Sequence, residues 1–153
     1  MNDVCATFRK YAEMKHVRFV YESNFDYLSV WFDSDKMGSI LKNILSNALK
    51  YTPEDGSVCI YASEEGNSWS IEVKDTGIGI PTCEQKKLFR NYFRGSNVVN
   101  LKVTGSGIGL MLVYKLIKLH KGRIQIQSTE HQGTCVQITF PKGNSHLHKA
   151  KFI

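Results

Sequence analysis

Three observations predict an α/β domain. The stretch Asp35–Tyr51 (DKMGSILKNILSNALKY) carries Met37, Ile40, Leu41, Ile44, Leu45 and Ala48 at the i, i+3, i+4, i+7 spacing of a helix with one buried stripe. Around it lie segments that alternate apolar and polar residues and are rich in β-branched and aromatic side chains, the pattern of strands. A glycine-rich stretch, GSGIGL at 105–110, then leads into a second segment of helical period.

A chain of 153 residues suits a single domain with its own core. The net charge of +6 is spread without a Lys/Arg run, which argues against a nucleic-acid groove and fits a polyphosphate ligand or an acidic partner. Cys5, Cys59, Cys83 and Cys135 make no CxxC pair and no metal-type spacing, and read as reduced thiols of a cytosolic compartment. There is no signal peptide and no apolar run of membrane-spanning length. A soluble chain is expected, cut from something larger.

In chain order, residues 1–16 carry a weak helical pattern (Phe8, Tyr11, Ala12) with no opening cap, as at the end of a longer helix or a linker. Val17–Tyr21 and Tyr27–Phe32 read as strands joined through Glu22–Asp26. Asp33, Ser34 and Asp35 offer N-cap chemistry for the central helix, and Pro53 and Gly56 end it. Ser57–Ser63 and Ser68–Asp75 read as a strand pair turning at Glu64–Asn67. In the second of these, Trp69, Ile71 and Val73 share one face, and the period of two puts Asp75 on that buried side. A buried carboxylate is costly without a partner.

Thr76–Pro81 (TGIGIP) follows, where Gly77 and Gly79 permit positive φ or close approach of backbone to a ligand. Cys83–Phe93 reads as a short helix with Leu88, Phe89 and Phe93, and the polar, aperiodic Ser96–Thr104 as a mobile loop. The next helix shows Leu110, Val113, Tyr114 and Ile117 at helical spacing and stops at Lys121–Gly122, a glycine C-cap. Arg123–Ser128 and Thr134–Phe140 read as strands about a His131–Gly133 turn, with Thr134 on the face of Val136, Ile138 and Phe140. The tail Lys142–Ile153 is expected to be loose.

The chemistry concentrates in four places. Asn43, Asn47 and Lys50 fall within a wedge of roughly 60° on the central helix, with Tyr51 just beyond. Carboxamide oxygens ligate a hard cation such as Mg²⁺ without adding charge, the ammonium suits a phosphate, and the ring a base. Glycine-rich backbone entering a helix N-terminus (Gly105, Gly107, Gly109) is a phosphate site, because free N–H groups and the positive end of the dipole face the anion. Asp75 and Thr134 are polar groups on one apolar face that can meet at a ligand. Each feature alone has a plainer reading: a solvated helix face, a turn, a satisfied core threonine. No GxxxxGK[ST] occurs, and the 105–109 spacing is not GxGxxG, which sets aside a P-loop and disfavours a dinucleotide fold.

Taken in order, LKNILSNALKYTP, DTGIGIP, LFRNYFRGS and GSGIGL resemble the N box, first glycine box, Phe box and second glycine box of the ATP-binding catalytic domain of two-component sensor histidine kinases. That domain is part of the GHKL superfamily. The likeness runs from Val17 to Pro141, and FRKYAEMKHVRFVYES with FPKGNSHL is most similar to hybrid sensor kinases of Bacteroidetes. The resemblance implies a two-layer α/β sandwich of the Bergerat type, a mixed sheet covered on one face by about three helices. It implies ATP and Mg²⁺ as cofactors. Asn47 would bind the metal, with Asn43 and Lys50 at the phosphates and Tyr51 along the adenine. Asp75 would accept from the adenine amino group, with Thr134 sharing a water, and Gly77, Ile78, Gly79 and Ile80 would make room for the base. Gly105, Ser106, Gly107, Ile108, Gly109 and Leu110 would hold the phosphates below a lid at 96–104. Phe89 and Phe93 would pack that lid or meet partner helices, and Arg94 would reach the γ-phosphate.

GHKL ATPases resemble one another in placing a Glu four residues before the metal-binding Asn, as a general base for water. Here that position is Asn43, which cannot take a proton, and Lys50 replaces a frequently acidic residue. The resemblance therefore implies kinase chemistry, in which positioning and charge neutralisation do most of the catalysis. None of His16, His120, His131, His146 and His148 stands in a family phosphoacceptor box, and His120 at a helix C-terminus reads as structural. The implied acceptor is a helical hairpin of the parent chain preceding residues 1–16, with 17–141 the catalytic domain and 142–153 a tail. Further implied partners are a response regulator or receiver domain and a second copy of the parent, a homodimer. The parent would be anchored in the bacterial inner membrane with this domain cytoplasmic, touching neither lipid nor nucleic acid. The competing readings are a serine kinase of the anti-sigma type, disfavoured by Asn43 and Tyr51-Thr52-Pro53, and a non-catalytic nucleotide-binding or docking module, disfavoured by the intact glycine boxes and Asn47.

Overall fold

The computed structural model describes residues 2–89, 95–99, 107–143 and 149–152. Its elements follow as α1 (Asn2–Met14), β1 (Arg18–Ser23), β2 (Leu28–Trp31), α2 (Ser34–Tyr51), β3 (Ser57–Glu65), β4 (Ser68–Asp75), α3 (Thr82–Gln85), α4 (Ser96–Val99), α5 (Gly109–Leu119), β5 (Arg123–Thr129), β6 (Gly133–Pro141) and β7 (Lys149–Phe152). One sheet has the order β1-β3-β4-β6-β5. The crossover through α2 makes β1 parallel to β3, as a long connection allows, and the other pairs are antiparallel.

The period of two sorts the sheet into faces. Val58, Ile60, Trp69, Ile71, Val73, Val136, Ile138 and Phe140 are buried, whereas Tyr61, Glu72, Lys74 and Gln137 lie on the wetter side. α2 packs against α1, α5 and the sheet, while α1 also touches β1 and α5 touches β5, giving the two-layer α/β sandwich that was expected. The whole predicted stripe of α2 is buried, together with Leu49, which the pattern did not flag. Of the three candidate caps it is Asp33 whose Oδ1 accepts from Asp35 N (3.0 Å) and Lys36 N (3.1 Å). The Lys36 N–H does most to hold that carboxyl below the ordinary carboxylate range.

The register sets the two ends of the sheet apart. At one end Trp69 pairs with Phe140, and Phe32 packs edge-on against both rings while His120 stacks on Phe32 at 3.9 Å. His120 is buried and its Nδ1 lies 2.8 Å from Leu116 O, the structural role expected of it. At the other end Asp75 pairs with Thr134.

Several local expectations need correction. The strands at 18–23 and 28–31 form as expected, and the second pairs antiparallel with β7. The tail is therefore not loose at 149–152, because the open backbone edge of β2 takes its hydrogen bonds. The helix expected at Cys83–Phe93 is only Thr82–Gln85, followed by turns to Phe89, and 90–93 lie outside the described residues. Part of the expected loop, Ser96–Val99, is a helical turn. At the end of α5 the left-handed residue is Lys121 (φ 56), not Gly122. Lys121 N bonds Lys118 O at 3.0 Å and Gly122 N bonds Ile117 O at 2.8 Å, a Schellman ending.

Gly122 is instead required by packing, since a Cβ there would lie 2.5 Å from Cδ1 and Cε1 of Phe140. Gly122→Ala is expected to lower stability by about 1–3 kcal/mol through overpacking, read as a lower midpoint in urea unfolding with unchanged slope.

Candidate nucleotide site

The same helical turn that buries one stripe of α2 carries its polar stripe to the Asp75 end of the sheet. There a cavity of about 310 Å³ opens. Asn43, Asn47, Lys50 and Tyr51 line one wall, Asp75 and Thr134 the sheet end, Ile78, Gly79 and Ile80 the loop side, and Gly107, Gly109 and Leu110 the start of α5. Twelve of the residues singled out in the sequence thus meet at one place. Gly77 and Ile108 are not among its lining residues. Phe93, Arg94, Gly105 and Ser106, and 100–104 of the expected lid, lie outside the described residues.

Asp75 is buried, and desolvation pushes its carboxyl above the ordinary value. Two backbone donors oppose that: Gly77 N at 2.9 Å and Thr134 N at 3.1 Å, both on Oδ1. Oδ2 is then the oxygen left for a ligand. Ser128 Oγ donates to Gly133 O at 2.9 Å and lies 2.9 Å from Thr134 Oγ1. A hydroxyl has one proton, so Thr134 is the donor to Ser128 and keeps its lone pairs. This corner of the cavity is rich in acceptors.

The glycine loop is held at nearly every peptide. Ile78 N bonds Tyr51 O (3.1 Å), Ile78 O accepts from His131 N (2.8 Å), and Gly79 O accepts from Asn97 Nδ2 (3.0 Å). Ile80 N bonds Ser128 Oγ (2.9 Å) and Ile80 O accepts from Gln85 Nε2 (3.0 Å). Gly77 is needed for close approach: a Cβ there would sit 2.6 Å from Tyr51 O.

On the opposite wall Asn43 Nδ2 donates to Ser39 O at 2.8 Å, which turns Oδ1 toward α5; a Cβ on Gly109 would meet that oxygen at 2.6 Å. The α5 N-terminus has no side-chain cap among the described residues, so its first N–H groups face the cavity mouth without a protein acceptor from a cap. Lys50 Nζ stands 4.9 Å from the centre of the Tyr51 ring. Phe89 packs on α5, its ring 5.0 Å from that of Tyr114.

Sequence reasoning missed the apolar floor (Ile44, Ala48, Val73, Ile126, Val136) and Leu88, Gly95 and Asn97 at the rim. The strand period places Val73 and Val136 on the faces of Asp75 and Thr134, but as core residues and not as the wall of a cavity. It also missed the positioning residues Ser128 and Gln85, and Gly133, where a Cβ would run into the Asp75 carbonyl; these roles are made by long-range contacts.

The architecture is that of a histidine kinase catalytic domain. The catalytic domain of ThkA superposes with a TM-score of 0.80 at 25% identity, over 92% of this chain and 89% of that one. Full-length ShkA, solved with AMPPNP, has the same fold (TM-score 0.80, 23% identity, 94% of this chain and 29% of that one). The chain belongs to the family of histidine kinase-, DNA gyrase B- and HSP90-like ATPases, whose family model matches residues 32–144. Within it, the sensor histidine kinase WalK of Bacillus subtilis is 39% identical over 83% of this chain, and histidine kinase P4 of Formosa agariphila is 29% identical over all of it. The chain spans 21% and 11% of the length of those two relatives.

Gly79 has φ +65, and a Cβ there would fall 2.0 Å from Thr129 O. Gly79→Ala combines left-handed strain with a backbone clash and is expected to cost more than about 1 kcal/mol, seen as a lower denaturation midpoint and loss of Ile80 amide protection in hydrogen exchange.

Proposed function

We propose that this chain is the catalytic domain of a sensor histidine kinase, holding ATP–Mg²⁺ so that the γ-phosphoryl group passes to a histidine outside the chain. The observation that carries this is the opposition, across one cavity, of an acceptor corner at Asp75 and Thr134 to the carboxamides, ammonium and helix N-terminus of the other wall. The adenine amino group would donate to Asp75 Oδ2; guanine, with a carbonyl in that place, would be repelled. Tyr51 and the Ile78–Ile80 loop would flank the base.

Asn47 fits a magnesium ion held jointly with phosphate oxygens, because it offers a neutral oxygen at the cavity wall. Among the described residues no group of three His, Cys, Asp or Glu is built to cage a metal by itself. The ion would supply charge neutralisation on the phosphates. Asn43, Lys50 and the Gly107–Leu110 backbone would orient the chain of phosphates, with Gly105, Ser106 and Arg94 added by the resemblance. Transfer breaks the bond from the γ-phosphorus to the bridging oxygen, forms a P–N bond, and leaves ADP. Asn43 cannot serve as a base for water, so hydrolysis would be slow beside transfer.

The acceptor would be a helical hairpin ahead of residues 1–16 in a longer, dimeric parent, with 17–141 as the catalytic domain, 142–153 as its tail, and a response regulator receiving the phosphoryl group. ThkA, which shares the fold, has been solved with the response regulator TrrA. The parent would be a membrane-anchored sensor with this domain in the cytoplasm.

Calorimetry should find ATP binding strengthened by Mg²⁺, with GTP at least tenfold weaker on the scale of a buried charged hydrogen bond. Asn47→Ala should remove the Mg²⁺ effect. Asp75→Asn should weaken ATP binding about tenfold or more, because an amide N–H would face the adenine amino group. An unaltered chain that binds no ATP would sink the reading.

Acidification gives a second test. The folded-state value of Asp75 is raised, so the folded chain takes up a proton before the unfolded one does as pH falls. Between the raised folded value and the ordinary one, stability due to Asp75 should increase on acidification, while ATP affinity is lost as the acceptor protonates. Binding isotherms and thermal melts across that window should move in opposite directions.

A further inference from the structure

The last turn of α2 can be accounted for carbonyl by carbonyl. A helix ends with C=O groups that have no partner of its own. Ala48 O accepts from Thr52 N (3.1 Å) and Thr52 Oγ1 (2.7 Å), and Tyr51 O accepts from Ile78 N (3.1 Å). The rest go to a side chain from outside the helix. Lys15 Nζ lies 2.6 Å from Leu49 O, 3.1 Å from Thr52 O and 3.5 Å from Lys50 O. An ammonium has three donors and no acceptor, and here its charge sits at the negative end of the α2 dipole.

The route of the chain delivers Lys15 to that place. α1 closes with Val17 N on Ala12 O (2.9 Å) and His16 N on Glu13 O (3.1 Å), His16 having φ 54. Backbone bonds then fasten the corner on both sides: Asp55 N to His16 O and Arg18 N to Gly56 O, each 2.9 Å. The helix turn so held carries Lys50 and Tyr51 into the cavity. Through Tyr51 O it also anchors Ile78, next to the Gly77 N–H that bonds Asp75.

We propose that Lys15 is a positioning residue for the nucleotide: it fixes the last turn of α2, and through it the base-binding loop, from the segment by which the chain enters the domain. This rests on the reading of the cavity as an ATP site. Without the ammonium Leu49 O and Thr52 O lose the donor that Lys15 supplies, the turn can fray, and Lys50, Tyr51 and Ile78 move together.

The test uses the whole chain with Lys15→Met, Lys15→Gln and Lys15→Arg, each below the onset of its own thermal unfolding. ATP affinity is read by calorimetry, and the amide exchange of Ile78 by NMR. Lys15→Met should bind ATP about tenfold more weakly and exchange Ile78 faster, on the scale of lost charged hydrogen bonds. Lys15→Arg, which keeps the charge, should stay within about threefold. Lys15→Met binding ATP like the unaltered chain, or weakened with Ile78 protection unchanged, overturns the proposal. Should Lys15→Met not fold, Lys15→Gln must be weaker than Lys15→Arg in both readouts, and equality overturns it. An unaltered chain that binds no ATP removes the site reading and the proposal with it; normal binding in the unaltered chain and Lys15→Met alike removes the proposal alone.

Discussion

The phase in which α2 lies on the sheet is the constraint on which the site depends. Seven of its residues, from Met37 to Leu49, are buried, and each of the Met, Ile and Leu side chains among them is worth about 1.5–3 kcal/mol when removed from water. Turning the helix by one residue, 100°, would expose that stripe. The penalty locks the opposite stripe as well, so Asn43, Asn47 and Lys50 reach the cavity because Ile40, Ile44 and Leu45 cannot leave the core. The sheet imposes a matching constraint, since a slip of one residue in β4 would turn Asp75 to the wet face.

Around Asp75 the structure supplies what a buried carboxylate needs on one oxygen, the other taking no hydrogen bond among the described residues. Two peptide N–H groups share Oδ1 and do not fully offset the desolvation. The loop that gives one of those donors is tied to α2, to the β5–β6 hairpin and to α4 by bonds at Ile78, Gly79 and Ile80. This corner of the site is held by the chain's own bonds, and binding there costs little reorganisation.

How much of this was legible follows from the range of each interaction. The periods of 3.6 and 2 reported the faces of α2 and β4, and with them Asn47 and Asp75, because periodicity is a property of neighbouring residues. The glycine stretches reported tight backbone without saying which glycine served which end: at the close of α5 the left-handed position went to Lys121, while Gly122 was needed by Phe140, eighteen residues on. The pairing of β2 with β7 joins segments more than a hundred residues apart and leaves no local trace. Ser128, Gln85 and Lys15 escaped for the same reason, since nothing in a serine, a glutamine or a lysine says which distant carbonyl or amide it will meet. The likeness of the four boxes carried what spacing could not, namely that the separate features belong to one cavity.

The N-terminus of α5, which has no side-chain cap among the described residues, carries a consequence for how such a domain can change. A polar cap at Ile108 would be an easy gain in stability, yet its oxygen would occupy the same N–H groups that a phosphate needs. Under the proposed function the ligand is itself the missing cap, and the helix is complete only when loaded. Selection for a sturdier empty domain and selection for a useful one then pull against each other at a single residue.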